Sequence, residues 1–528
     1  MPRISYLAAV VAPCLALALN LGAATNAAAQ IKTLRLVPHA DLKVLDPTFT
    51  TAYITRNFGH MVYDTLFAPD AKGVPQPQMV EKYTRSPDSR KWTFTLRKGL
   101  KFHDGSPVTS ADCIASLQRW SLRDNTGRAM VAAGAEWKAI DARTFMLTLK
   151  EPFGLVLDGL AKVSSFQPII LPERLAKLPT NAPIAEVVGS GPFVFKRDEW
   201  VTGNKVVFLK NTQYVGRSEA PSGFAGNKTP LVDRVEWLIL PDSNSAIAAL
   251  KNGEVDLIED VPPDYIAPLL ANPAVKIVRR GSAQGYMSMN QTQPPMNNPK
   301  VRQAVLMAVN QEKFIASMGY PTNLRVPYCA TFFICGSPNE TSAGSEPYRS
   351  RDVAKARKML KDADYKGEKV VVMVPTDIAY LNGAGMVAAQ TLKSIGLNVD
   401  VQTMDWSSIV ARRTKKDAAD AGGWSVYTTG AGEFDVDSPI NNTNLGAACG
   451  NSLPGWPCDK TLDELRAAWI RQTDPVKRRE ALEAFHKRAY EAVPYIPVGQ
   501  FSQVYAVRNA IGHADRLWST PNVWVLDK

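Results

Sequence analysis

The stretch KFHDGSPVTSADC, Lys101–Cys113, places a histidine, two aspartates, two serines and a thiol within thirteen residues. Read as chemistry, His103 beside Asp104 suggests a catalytic pair. Read as structure, Asp104-Gly105 is a tight turn and Thr109, with Asp112 three positions on, is the capping box of a helix over SPVTSADCIASLQRW. Adjacent residues point in different directions, so the spacing makes a poor dyad and the scaffold reading is preferred. Upstream, WTFTLRKGLKF alternates Trp92, Phe94 and Leu96 against Thr93, Thr95 and Arg97, which predicts a hairpin of half-buried strands turning at Lys98-Gly99.

Working outward, KVVFLKN and DRVEWLIL read as strands. DSNSAIAALKNGEVDL reads as a helix stopped at Gly253 and followed by a strand. KVRQAVLMAVNQEKFIASMG predicts one amphipathic helix ending at Gly319. EKVVVMVP, GMVAAQTLKSIG and LNVDVQTMDW alternate strand, helix and strand, which predicts a parallel sheet. A last helix is expected over about Thr461–Val493, before a strand in VPYIPVGQFSQVYAVRN.

With 528 residues the chain is too long for one core. Its 45% apolar and 21% charged residues are those of an ordinary globular protein, and no repeat of fixed period is present. The first 29 residues carry one cation, Arg3, then an apolar run and small residues up to Ala27-Ala28-Ala29, the pattern of a cleaved secretory leader. That predicts a periplasmic protein. Export makes disulfides possible, and two cysteine pairs lie close in sequence: Cys329 with Cys335, and Cys449 with Cys458. Each reads as a loop staple. Metal binding is the alternative, weakened by the absence of Cys-x-x-Cys spacing and by only five scattered histidines. Cys113 is left over and is expected as a buried thiol. The net charge of +11 comes from cations interspersed with acids, so ARRTKK (411–416) reads as a solvated helix face and no nucleic-acid partner is expected. No G-x-S-x-G, H-E-x-x-H or phosphate-binding glycine loop occurs, so neither a catalytic residue, a metal nor a cofactor is expected.

Seven segments occur in order: VYDTLF, RKWTFTLRKGLKFHDGSPVTSADC, GSGPFVF, ALKNGEVDL, MNQTQPPMNNPKVRQAVLMAVNQEKFI, ARKMLKDADY and VPYIPVGQF. Together, from about Leu34 to Tyr505, they resemble the extracellular solute-binding proteins of family 5, the dipeptide, oligopeptide and nickel class. The resemblance implies an α/β, two-lobed Venus-flytrap periplasmic binding protein of the large kind, with mixed sheets and hinge crossings. Lobe I would comprise 31–285 plus 495–528, with an extra subdomain at about 60–185, and lobe II would comprise 286–494. It also implies a monomer that captures a peptide or peptide-like solute between its lobes and delivers it to an ABC permease and ATPase in the inner membrane. A non-peptide solute (metal chelate, opine or sugar-like) and, more remotely, a secreted hydrolase are the alternatives.

Dipeptide-binding members hold the peptide amino terminus with an aspartate after a Gly-Trp-(Thr/Ser)-Gly segment. In the matching GGWSVYTTGAGEFDVDSP that place falls on Ala431, with Asp435 and Asp437 nearby. The arginine that meets the peptide carboxylate in those members matches Ile378, next to Asp377. Each such charge-assisted bond contributes about 1.5–3 kcal/mol, so the resemblance implies a pocket unlike that of a free-dipeptide binder. By position, the expected ligand-binding residues are Thr50, Tyr53, Phe166, Gln167, Tyr286, Asp377, Trp406, Tyr427, Thr428, Thr429, Gly430 and Ala431. Trp424 is expected in the core, and Asn290 is expected to tie backbone.

Overall fold

A computed structural model describes residues 32–447, 449 and 453–528. The leader expected over residues 1–29 lies outside these. Among the described residues no helix is long and apolar enough to cross a membrane.

The fold is α/β with one mixed sheet of eleven strands and a separate four-stranded sheet. Two long antiparallel strands, Val275–Met289 and Ile496–Arg508, run through the middle of the large sheet. On one side lie Leu257–Ile258, Thr33–Val37, Arg234–Leu238, Lys205–Lys210 and Phe193–Phe195. On the other lie Val426–Gly432, Lys369–Pro375 and Asn398–Met404. The last two pair in parallel through the helix Ala379–Ser394, as the strand–helix–strand pattern predicts. The long strands change partners near their middle. Leu257–Ile258 joins Ala506–Val507, whereas Val426–Gly432 joins Ala283–Met289. Register shifts between Arg279 and Gly281, and between Gly285 and Tyr286, mark the changeover. Gly281 (φ 125°) and Gly499 (φ 132°) sit there in backbone regions that side chains avoid.

The four-stranded sheet, Val80–Arg85, Lys91–Leu96, Thr144–Thr148 and Glu136–Ala139, packs Phe94, Phe145 and Leu147 against the helix Ser110–Ser121. The stretch Lys101–Cys113 is scaffold within this unit. Thr109 caps that helix, and the side chains of Thr109 and Asp112 each bond the other's backbone. Asp104 accepts from the Ser106 N–H and hydroxyl, while the His103 ring meets the Gly191 carbonyl at 3.1 Å. The two neighbours thus serve different partners, and burial lowers the histidine pKa. Cys113 is fully buried.

Three sequence expectations are corrected. Lys91–Leu96 does not turn back at Lys98-Gly99; its partners are Val80–Arg85 and Thr144–Thr148. Leu100 and Phe102 are buried from a loop that closes on Ser106 and Val108. The helix expected to reach Gly319 is two helices, Pro299–Ala308 and Gln311–Ser317, because the Asn310 side chain caps the second by accepting from Lys313 N–H. The last helix is likewise a helical hairpin, Lys460–Arg471 and Pro475–Ala492. Asp474 caps its second arm, and Pro475, with no N–H to donate, starts it.

Candidate ligand-binding cleft

A cavity of about 440 Å³ lies between the two halves of the molecule. One wall comes from the hairpin of Phe67–Pro69 with Pro75–Pro77 and from the helix Val156–Leu160 with the loop after it. The facing wall comes from the loop 334–339, the turn after Val426–Gly432, and Trp469 and Arg478 of the helical hairpin. The loop 334–339 is anchored by the Cys329–Cys335 disulfide and by Gln500, whose side-chain oxygen accepts from the Cys335 N–H. Cys449 and Cys458 are also joined. Both pairs are thus the local staples expected.

The polar groups of the cavity are unequal in how well they are satisfied. Burial pushes the Asp437 carboxyl up to about 7, against hydrogen bonds from Asn441 and Ser438, and the nearby Asp435 adds to the rise. Burial also raises Glu433, although its carboxylate accepts the Ser282 N–H at 2.8 Å. Asp158 lines the cavity with an exposed side chain; desolvation raises its pKa and the Arg478 charge opposes the rise. Lys162 is already paired with Asp124. The Ser337 hydroxyl and the Trp469 indole N–H are buried without a hydrogen-bond partner. The three acids are thus raised by desolvation while their side chains still reach the cavity surface, and two donors beside them lack a protein acceptor.

Two contacts join the elements that flank the cavity. At the sheet side the Tyr53 hydroxyl donates to Asp435, with the Arg56 guanidinium 4.3 Å over the tyrosine ring. At the opposite side the Gly154 N–H donates to the Ile470 carbonyl at 2.9 Å, and Arg478 Nη2 donates to the Gly154 carbonyl. A Cβ on Gly154 would lie 1.9 Å from the Gln472 carbonyl oxygen, so this approach requires glycine.

The twelve ligand residues expected from sequence fall elsewhere than the lining of this cavity. Tyr53 comes nearest, through Asp435. Thr50 bonds the Ala52 N–H. The Phe166 carbonyl accepts from the Trp120 indole, and Gln167 lies buried against His60 and the Arg56 carbonyl. Asp377 accepts from the Trp406 N–H, at the start of the helix Trp406–Arg412. Tyr286 is buried edge-on to Tyr495, and Tyr427 packs on Trp424. Thr428, Thr429, Gly430 and Ala431 pair with Met287, Tyr286, Gly285 and Gln284 inside the sheet. Trp424 is core, and Asn290 donates to the Trp424 carbonyl, both as expected.

Sequence reasoning passes over Asp158, Ser337, Trp469 and Arg478, which sit in helices and loops that carry no motif. Asp437 is visible there only as an acid near the altered segment. Among the described residues, no group of three or more histidine, cysteine, aspartate or glutamate side chains is placed to hold a metal ion.

Comparison with known proteins accords with this architecture. Residues 74–452 match the model of the bacterial extracellular solute-binding proteins, family 5 (middle). A probable peptide ABC transporter periplasmic-binding protein of Sinorhizobium fredii is 35% identical over 485 residues, covering 90% of either chain. The glutathione-binding protein GsiB of Salmonella choleraesuis is 27% identical over 471 residues, covering 87% of each. Among solved structures, AgaA of A. tumefaciens, in complex with agropinic acid, superposes with a TM-score of 0.75 at 24% identity, covering 94% of this chain and 98% of that one. CtaP of Listeria monocytogenes gives 0.78 at 21%, covering 94% and 99%. The two-lobed binding-protein fold of these neighbours is the fold described above, and the chain belongs to family 5 of the bacterial extracellular solute-binding proteins.

Proposed function

We propose that this chain is the periplasmic solute-binding component of an ABC importer, that its solute is a peptide, and that the peptide amino group is held by Asp437. The observation that carries this reading is a partly buried carboxyl lining the cavity, whose pKa desolvation lifts to about 7, and the cation that acts on it, Lys162, is engaged by Asp124. An ammonium group supplies the missing countercharge, and a charge-assisted bond there is worth about 1.5–3 kcal/mol. The 35% identical relative named as a peptide-binding component favours the same class. The cavity volume is within the ordinary range for a small-molecule site, about 300–1,000 Å³.

In this reading lobe I is 31–285 with 495–528, lobe II is 286–494, and the subdomain is about 60–185. The leader directs export and is removed near Ala29, and the protein works as a monomer with a membrane permease and its ATPase. The lobes close by bending of the two long strands near Gly281 and Gly499. Tyr53 contributes through its hydrogen bond to Asp435.

The test is mass spectrometry of small molecules released from the protein purified from residue 30 onward without refolding, followed by titration calorimetry with the compounds found. A peptide with a free amino group, bound more weakly by Asp437→Asn, is expected. A solute without any amino group would overturn the reading.

A further inference from the structure

Of the two disulfides, one lies at the cavity. Cys335 lines it, followed by Ser337, Pro338 and Asn339, whereas Cys449 and Cys458 do not. We propose that the Cys329–Cys335 loop is a positioning element of the solute site. It fixes Asn339 and, through Asn339, Asp437, so that solute affinity depends on the disulfide being formed. The proposal rests on the reading that Asp437 meets the solute.

The first support is how the segment is held. Residues 329–335 form neither helix nor strand, and most of them are buried, so their backbone groups need partners from elsewhere. Side chains supply them. The Gln311 amide accepts from the Cys329 N–H at 2.8 Å and donates to the Cys329 carbonyl at 3.0 Å. Gln500 does the same for Cys335, at 2.8 and 3.1 Å. Between them, Gln284 donates to the Phe333 carbonyl at 2.8 Å, and the His486 ring accepts from the Phe332 N–H at 3.0 Å. Gln284 and Gln500 stand on the two long central strands. The loop is therefore fixed to the part of the sheet that both halves of the molecule share.

The second support is where the segment leads. After Cys335 the chain turns, with the Ser337 N–H donating to the Ile334 carbonyl and the Gly336 N–H to the Glu340 carboxylate. The Asn339 side chain then donates to the Asp437 carbonyl at 2.8 Å. One turn and one hydrogen bond thus join the disulfide to the acid. Packing contributes little to the turn: Gly336 is exposed, and a Cβ there would meet nothing within 4 Å. The covalent bond sets the direction in which Cys335 leaves the buried segment. Without it that end is held by hydrogen bonds that water can replace.

The bond can be opened reversibly. A dithiol supplies two electrons and two protons, the S–S bond breaks, Cys329 and Cys335 become thiols, and the dithiol closes to its own disulfide. The experiment uses the whole mature chain, a pool of random tripeptides with free ends, and retention read by mass spectrometry before and after treatment with dithiothreitol, with thiols counted. Reduction is expected to lower retention about tenfold, the effect of displacing one charge-assisted bond, and reoxidation to restore it. The same loss should follow reduction of the Cys449→Ser/Cys458→Ser variant, and no further loss should follow reduction of Cys329→Ser/Cys335→Ser. Either comparison suffices if the other variant does not fold. Hydrogen exchange of the empty protein gives the readout that a general loss of stability would not: reduction should speed exchange within 336–342 and 437–442 and leave the four-stranded sheet unchanged.

Unchanged retention with both thiols counted would overturn the proposal and leave the reading of Asp437 standing. So would an equal fall on reduction in Asp437→Asn, or faster exchange throughout the chain. Retention that is the same in oxidised Asp437→Asn as in the wild type would overturn that reading and this one with it, as would retention of no peptide.

Discussion

The two lobes meet at two places built in opposite ways. At the sheet side the chain itself passes between them, in the paired strands Val275–Met289 and Ile496–Arg508, which are joined by a continuous antiparallel ladder. At the hairpin side the contact is non-covalent: Gly154 against Ile470, Gln472 and Arg478. Free energy placed in the first supports the fold. If the lobes close as proposed, free energy placed in the second exists only in the closed form and adds to the affinity for whatever closure encloses. The difference teaches where to look for residues that set binding without touching solute.

The sharpest break in this comparison is Gly154→Ala. The atoms nearest its added methyl group belong to Gln472 and Arg478 across the cleft, so an open form, if the lobes part there as proposed, would accommodate it better than the structure described. Peptide affinity should fall at least about tenfold, or ~1.4 kcal/mol, while the melting temperature of the empty protein stays put. Calorimetry and a thermal melt check both, and an unchanged affinity would sink the latch.

Asp437→Asn should act on the solute directly, with about a tenfold loss for peptides with a free amino group. It also separates binding from folding by pH. The folded protein keeps the Asp437 proton up to about 7, against 3.8 for an ordinary aspartate. Affinity for an ammonium should therefore rise as pH climbs through 7, and it should lose that dependence in the variant. Stability has the opposite sign. The contribution of a carboxyl whose folded pKa is raised is fully present below 3.8 and lost as pH rises through about 7, so the empty variant should outlast the wild type at pH 8, by up to about 2 kcal/mol.

Gly281→Ala tests the covalent side. The glycine has φ 125°, and a Cβ there would stand 2.7 Å from Ser519 Oγ and 2.9 Å from the Glu433 carboxylate. A loss of stability of about 1–2 kcal/mol is expected in the empty protein, visible in urea unfolding, in contrast to Gly154→Ala. Tyr53→Phe should be the mildest. It removes one hydrogen bond to Asp435, and an affinity loss of about 0.5–1.5 kcal/mol with little change in the empty melt is the outcome that assigns this bond to closure.

Legibility in the sequence follows the range of the interaction. The capped helix behind Thr109 and Asp112, the turn at Asp104-Gly105, the two disulfides and the parallel strands around Ala379–Ser394 are decided over a few to a few dozen positions, and all are readable. The errors are of the same local kind. Asn310 and Asp474 are polar residues that fit a helix surface as well as a cap, and only the folded backbone shows that each starts a new helix. The hairpin at Lys98-Gly99 fails because alternation marks a half-buried strand without naming its partner.

The cleft is far less legible. The segment around Thr429–Ala431 resembles a binding motif, and its backbone pairs with Gln284–Tyr286 in the sheet, while the acids that line the cavity follow a few positions later. Asp158, Ser337, Trp469 and Arg478 have no sequence neighbours in common, and tertiary packing alone brings them to one cavity. Sequence by itself determined the family, the α/β character, the local caps and staples, and the scaffold role of His103 and Asp104. Tertiary structure alone decided where the cavity lies, which acids are desolvated at it, and that Gly154 lies too close to the Gln472 carbonyl for any side chain. The physical reason is that caps and turns are satisfied by neighbours along the chain, whereas burial, pKa and steric fit are set by whatever the folded chain brings within a few ångströms.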